Sequence, residues 1–392
     1  MSVASDAERG LERIARARAS VNVAAIARNC VRLRADLHGQ TRLCAVVKAD
    51  GYGHGAVQSA RAALDGGAGW LAVASAQEAG ELRAAGLTEV PILVMGALTP
   101  GELAEALAAG ADVVVWSERY VGEVAAAGGG RVHVKLDSGM GRLGTRDAAL
   151  ASRVLALAEQ SAGVEPVGLM THFATADELD DEGFFARQLD VFARWAGELK
   201  ARRPGLIVHA ANSAAMLREA GAQFDMVRCG IAIYGMDPFG AEPAERDLEP
   251  ALELSSYVAD VKLCRAGESA GYGRRFVARR DTWLGLLPIG YGDGWRRGLS
   301  NNAEVLVGGV RRALVGTVSM DNVTIDLGAE PSAQDLRGSQ AVLIGAQGEQ
   351  RITAEDVARR LDTINYEITC GLTPRVPRVY HRDGIVLEPV HG

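Results

Sequence analysis

Between about residues 40 and 236, eight short apolar segments alternate with helix-sized stretches rich in Ala, Leu, Glu and Arg. The stretch 235–250 that follows is rich in Pro, Glu and Gly and reads as a linker. Beyond it come strand-like segments joined by turns such as Gly308-Gly309, with little helix. These observations predict an α/β chain with an N-terminal (β/α)8 TIM-type barrel over 1–240 and a mostly β C-terminal domain over 241–392. A length of 392 residues agrees, because single cores stop growing well short of that. A doubly wound sheet would show the same alternation, but eight regular units over about 200 residues favour the closed barrel.

Taken in order, the barrel strands fall at 43–47, 70–73, 92–95, 112–116, 131–136, 165–171, 206–210 and 226–234. Each is a short apolar run of the kind a strand buried on both faces requires. Helices are expected between them, for example at 75–85, 99–109, 147–161 and 180–201. In the second domain, strands are expected at 255–264, 282–288, 304–307, 311–318, 322–326 and 340–344, with one helix at 354–361.

Composition narrows the function classes. Hydrophobic residues make up 48% of the chain, enough for a large core, and charged residues 23%. A formal net charge of -7 argues against nucleic acid or an anionic membrane as the main partner. Cys30, Cys44, Cys229, Cys264 and Cys370 are scattered without CxxC pairs, which reads as free thiols in a reducing compartment and offers no metal site. No apolar run has the length of a membrane span, and the acidic and basic N-terminus does not resemble a signal peptide. The expectation is a cytoplasmic protein.

The chemistry lies at the predicted strand ends, the working face of such barrels. In Ala45-Val46-Val47-Lys48-Ala49-Asp50-Gly51-Tyr52-Gly53-His54-Gly55, an apolar strand delivers Lys48 into a glycine-broken turn. Desolvation there favours the neutral amine that Schiff-base chemistry needs. Arg142 follows the fifth strand in a glycine-rich loop, His172 ends the sixth, Ser213 follows the seventh after His209, and Arg228 lies in the eighth. The loops after strands seven and eight offer the Ser213 hydroxyl and the N–H groups of Gly230 and Ile231 as a phosphate cradle. Ser213 also suits the cap of a helix starting at Ala214. A lysine opposite a phosphate cradle fits a phosphorylated aldehyde cofactor, of which pyridoxal 5'-phosphate is the common one. Singly, His172 reads equally well as a core histidine and Arg228 as half of an internal ion pair. Their coincidence on one face favours a site.

The segments 45–55, 135–144, 171–178, 209–216, 228–235, 269–273, 289–295, 315–321 and 363–378 together resemble the alanine racemases, pyridoxal phosphate enzymes that join such a barrel to a β domain. The resemblance implies an isomerase that interconverts L- and D-alanine and supplies D-alanine for cell-wall peptidoglycan. It assigns the proton transfers on the two faces of the substrate Cα to Lys48, which also binds the cofactor covalently, and Tyr272. It places His172, Arg228 and His209 in a supporting hydrogen-bond network, with Arg228 facing the cofactor's ring nitrogen. The cofactor phosphate falls to Tyr52, Ser213, Gly230, Ile231 and Tyr366, and the substrate carboxylate to Arg142 and Met320. Lys135 matches a position carbamylated in some members, where it orients Arg142. Tyr291 resembles the tyrosine that gates access. A homodimer is also implied, in which Tyr272 and Met320 of one subunit complete the site on the other's barrel.

Two departures stand out: Gly292, where the family often has Ala, and Ser319, where it often has Cys. Competing readings are a broad-specificity racemase or decarboxylase on the same scaffold, and a non-catalytic cofactor carrier. Against the carrier stands the β domain with Tyr272, Tyr291 and Met320, which a single barrel lacks.

Overall fold

The computed structural model describes residues 16–387. The reading of the extreme N-terminus as free of a targeting signal falls outside the described residues. The chain divides into two compact units, one spanning 23–249 and the other combining 250 onward with the strand β1 (Ala17–Asn22).

In the first unit, β2 (Arg42–Val46), β3 (Trp70–Val73), β4 (Ile92–Val94), β5 (Asp112–Val115), β6 (Gly130–Lys135), β7 (Val164–Met170), β8 (Ile207–His209) and β9 (Met226–Cys229) pair in parallel, each with the next. β9 then closes onto β2, with Arg42 opposite Met226 and Cys44 opposite Arg228. The closed (β/α)8 barrel expected from the alternation is therefore present. β3, β4 and β5 are buried at every residue, which is why they read as unbroken apolar runs. Several of the intervening helices start at side-chain caps, among them Ser75 with Glu78 before Ala76–Ala84, Thr99 with Glu102 before Pro100–Ala108, and Asp147 before Ala148–Gln160. Each cap satisfies otherwise orphaned N–H groups and stabilises its helix by about 1 kcal/mol. Buried Asn29, on the helix Val23–Ala35, ties the chain after the barrel back to it through Ile233 O (3.2 Å) and both backbone groups of Glu249 (2.9 Å each).

The eighth strand is shorter than the expected 226–234. It ends at Cys229, because the Ser213 hydroxyl oxygen accepts the N–H groups of Gly230 (3.1 Å) and Ala232 (3.4 Å), and Ile231–Tyr234 turns into a 3-10 helix.

The second unit is built from β10 (Leu252–Tyr257), β11 (Asp260–Cys264), β12 (Ser269–Ala270), β13 (Phe276–Val277), β14 (Thr282–Leu287), β15 (Glu304–Val307), β16 (Val310–Val315), β17 (Val323–Gly328), β18 (Gln340–Gln347), β19 (Gln350–Ile352), β20 (Arg378–Arg382) and β21 (Ile385–Val386). One sheet runs β11-β14-β17-β16-β15-β18-β10-β1-β20-β21, with β19 on β18, and β12 pairs with β13 separately. The expected strand 255–264 is two strands. At the break, Val258 N–H turns to Ser339 O (2.9 Å) and Ala259 N–H to Leu286 O (2.8 Å), so β10 and β11 pair with different neighbours. A division after residue 240 assigns Ala17–Asn22 to the barrel. Instead β1 lies between β10, antiparallel, and β20, parallel, with Ala17, Ala19 and Val21 buried on one face. Besides Ala354–Leu361, a second helix not expected from the sequence, Asn365–Cys370, follows.

Candidate active site

The turn after β2 is the most unusual backbone in the barrel unit. Ala49, Asp50, Gly51 and Tyr52 take φ of 53°, 51°, 60° and 54°, a left-handed stretch that costs about 1 kcal/mol or more per L-residue. Carboxylates hold it in place. Glu78 accepts Ala49 N–H and Ala74 N–H at 2.7 Å each, and Asp50 accepts Ala56 N–H at 2.9 Å. The turn keeps Lys48 half-exposed beyond the end of β2 and sends Tyr52 inward against Tyr234, ring centroids 5.2 Å apart. Tyr234 is pinned in turn by donating its hydroxyl to Val46 O (3.0 Å).

Tyr52 meets the loop after β9. A Cβ on Gly230 would lie 2.3 Å from the Tyr52 hydroxyl oxygen, so glycine is required by this close approach. Ser213 lies against the same backbone through its bonds to Gly230 and Ala232. The cap of the helix Ser213–Arg218 is Asn212, whose Oδ1 accepts Ala215 N–H (2.9 Å), so the capping role expected of Ser213 falls to its neighbour. The Tyr52 and Ser213 hydroxyls and the backbone at Gly230–Ile231 thus converge in one buried corner with the composition of a phosphate cradle.

Arg228, buried on β9, is the hub. It donates from Nη1 to His209 Nδ1 (2.8 Å) and from Nη2 to the carbonyls of Thr171 and Ala210 (2.9 Å each) and to His172 Nδ1 (3.2 Å). Burial lowers its pKa to about 10. Both imidazoles are held well below the usual histidine range, by burial first and by Arg228 next, and are therefore neutral acceptors. Lys135 ends β6 in the interior. Burial, followed by the charges of Arg228, Arg142 and Lys48 and opposed by Asp137, brings it down to about 8.

Arg142 sits exposed on the glycine-rich loop after β6. Buried Asp137 shapes that loop by accepting the N–H groups of Gly139 (3.0 Å) and Gly141 (3.0 and 3.1 Å) and pairing with Arg146 (3.2 Å). Burial works to raise the Asp137 pKa, yet these donors hold it below the usual carboxylate value.

The remaining predicted residues lie in the β unit. Tyr272 projects from a tight turn after β12, is 72% exposed, and its carbonyl accepts the Thr317 hydroxyl (2.7 Å). Tyr291 and Met320 ride on two loops zipped together by Tyr291 N–H to Ser319 O (3.0 Å) and Gly292 N–H to Met320 O (2.9 Å). Buried Asp293 fixes this pair by accepting from Arg16, Arg375 and Gly290 N–H, while Arg375 also reaches Asp321. Tyr366, half-buried, stands in the first turn of Asn365–Cys370.

Sequence reasoning overlooked Asp137, Glu78, His133 and Asp112. For His133 a signal existed, since His133 and Lys135 are two apart on one strand and so share the interior face.

Residues 21–238 match the family model described as alanine racemase, N-terminal domain, and residues 251–380 the one described as alanine racemase, C-terminal domain. The chain belongs to the alanine racemase family. It is 42% identical over 376 residues to the alanine racemase of Geobacillus stearothermophilus, covering 94% of this chain and 95% of that one. Among solved structures, the alanine racemase of D-cycloserine-producing Streptomyces lavendulae aligns with a TM-score of 0.86 at 37% identity, covering 94% of this chain and 98% of the other. The alanine racemase of Bacillus anthracis, solved with bound L-Ala-P, gives 0.86 at 37% identity, over 95% and 96%.

Proposed function

We propose that this protein is a pyridoxal-phosphate-dependent alanine racemase that moves protons with Lys48 and Tyr272. The observation that carries this reading is the cationic strand-end cluster of Lys48, Lys135, Arg142 and Arg228 beside the Tyr52–Ser213–Gly230 corner. Such a cluster suits a ligand with a phosphate and a substrate with a carboxylate. The donors also fit the cofactor chemically: a lysine amine for covalent attachment, two hydroxyls and backbone N–H groups for the phosphate, and a planar cation for the ring nitrogen. Bound there, pyridoxal phosphate supplies an electron-withdrawing ring that acidifies the substrate Cα.

The chain's own residues do the rest. Lys48 holds or delivers a proton on one face of Cα. Tyr272 does so on the other, and two bases on opposite faces suffice for inversion in either direction. Arg228 donates only, and its four acceptors already fix its plane, so it positions the ring without transferring a full proton to it. Arg142 receives the substrate carboxylate, and Met320 and Tyr291 line the approach. Tyr366 adds a further phosphate contact.

Exposure of Tyr272, Tyr291 and Met320 supports a homodimer in which one subunit's β unit completes its partner's site. Family membership supports a cytoplasmic setting and supply of D-alanine for cell-wall peptidoglycan. The deciding test incubates the purified protein and pyridoxal phosphate with L-alanine, L-serine and L-lysine separately, followed by chiral separation. D-alanine formed much faster than the other D-products supports the reading. Comparable rates mean a broad racemase, and no D-product from cofactor-loaded protein refutes catalysis.

A further inference from the structure

Hydrogen bonds run without a break from Arg228 through the barrel interior to Asp112, and their direction is set at the first link. A guanidinium carries only N–H groups, so any ring nitrogen facing it accepts. His209 accepts from Arg228 at Nδ1 (2.8 Å), which leaves the proton of the neutral ring on Nε2. That N–H faces His133 Nδ1 at 2.8 Å, so His133 also carries its proton on Nε2. The His133 Nε2–H is aimed at Asp112 Oδ2, 3.2 Å away, and Asp112 Oδ1 takes Arg131 Nε at 2.9 Å. Every donor meets an acceptor. Reversing the chain would set two donors face to face at Arg228.

The surroundings are shaped for this arrangement. His133 and His209 are fully buried, with ring centroids 4.9 Å apart and edge to face, and Asp112 is 2% exposed. On the neighbouring strand, a Cβ on Gly168 would lie 2.1 Å from His133 Nδ1, so β7 omits a side chain where the imidazole lies. Arg228 meets two carbonyls and two imidazoles, and among the described residues it has no carboxylate partner. The nearest counter-charge along its hydrogen bonds is Asp112, two imidazoles away. Direct pairing would neutralise the guanidinium, whereas the relay orients it and leaves its field toward the strand ends.

We propose that His133 and Asp112 are positioning residues for Arg228: Arg228 selects the two imidazole tautomers, and the Asp112 carboxylate, by accepting the last proton of the relay, anchors the rings that hold the guanidinium in its catalytic plane. The catalytic half of this inference rests on the reading that Arg228 faces the cofactor, while the tautomer half stands without it.

The test uses the holoenzyme labelled with 15N-histidine. In the wild type, NMR should show His133 and His209 as neutral rings protonated at Nε2. Asp112→Leu removes the terminal acceptor and keeps a side chain branched at Cγ. It should leave the His133 Nε2–H without its acceptor, which shifts that 15N–H signal and speeds its exchange with solvent, and lower kcat about tenfold, the worth of one charge-assisted hydrogen bond, with KM for alanine within about twofold. Asp112→Asn, whose amide oxygen still accepts, should recover most of kcat, which separates hydrogen bonding from space filling. An unchanged His133 Nε2–H signal or unchanged kcat in soluble Asp112→Leu overturns the proposal. Should that variant not fold, the wild-type spectrum decides, because a His209 protonated at Nδ1 or doubly protonated is incompatible with the relay. A wild type that shows both Nε2–H tautomers yet racemises nothing would sink the assigned function and leave the relay standing.

Discussion

Gly230→Ala tests the phosphate corner directly. The added Cβ falls 2.3 Å from the Tyr52 hydroxyl oxygen, 2.7 Å from its Cζ and 3.2 Å from its Cε2. Restoring van der Waals separation requires the phenol to retreat by about 1 Å. Its ring cannot do so freely, because it lies against Tyr234, which is anchored to Val46 O, and the Tyr52 backbone is held in the left-handed turn. Overpacking of this kind costs about 1–3 kcal/mol. If the collision displaces the hydroxyl from the phosphate corner, the dissociation constant for pyridoxal phosphate rises between about fivefold and about hundredfold. Absorbance titration of the apoprotein with the cofactor measures this, and calorimetry should show a fall in melting temperature of about 2–4 °C per kcal/mol. Tyr52→Phe removes the atom in closest collision, so the double variant should be less destabilised than the sum of the two single variants. Wild-type cofactor affinity and melting temperature in Gly230→Ala would refute the proposed geometry of the corner.

Further expectations follow from other parts of the structure. Lys135, brought to about pH 8 by burial and then by Arg228, should form a carbamate with 13C-bicarbonate as pH rises through about 8, and Lys135→Arg should abolish that NMR signal. Asp181 is held at about 2, chiefly by the N–H of Phe185. A depressed carboxyl pKa contributes stability above its unfolded value, near 4, and loses it as pH falls toward 2. Urea midpoints should therefore drop over that window, and Asp181→Asn should flatten the drop. In Gly292→Ala the new Cβ falls 2.4 Å from Arg375 Nη1, so the guanidinium should leave Asp293 and Asp321. The Arg375–Asp321 pair, about half-exposed on both sides, is worth up to about 1 kcal/mol, and calorimetry should show its loss as a fall in melting temperature of about 2–4 °C. Mixing inactive Lys48→Ala and Tyr272→Phe chains should restore activity on subunit exchange, and no recovery would exclude a shared site.

Much of the fold was legible because its signals are local. Each barrel strand is a short apolar run next to its own helix, so the strand number and the strand-end positions of Lys48, His172, Ser213 and Arg228 can be read along the chain. The order of the β unit is different in kind. Ala17–Asn22 pairs with partners more than two hundred residues away, and the continuous-looking stretch 255–264 divides because its two halves find different neighbours.

The same distinction runs through the site. The residue types that pointed to a strand-end lysine opposite a phosphate cradle were written in the sequence, and the family resemblance added their candidate roles. Tertiary structure alone decided that Glu78 holds the left-handed turn after β2, that Asn212 caps the helix after β8, and that Arg228, His209, His133 and Asp112 form one directed chain. A hydrogen bond's direction depends on which atoms meet across the barrel. Residues on β5, β6, β8 and β9 meet there only when the sheet closes, so local pattern carries no trace of it.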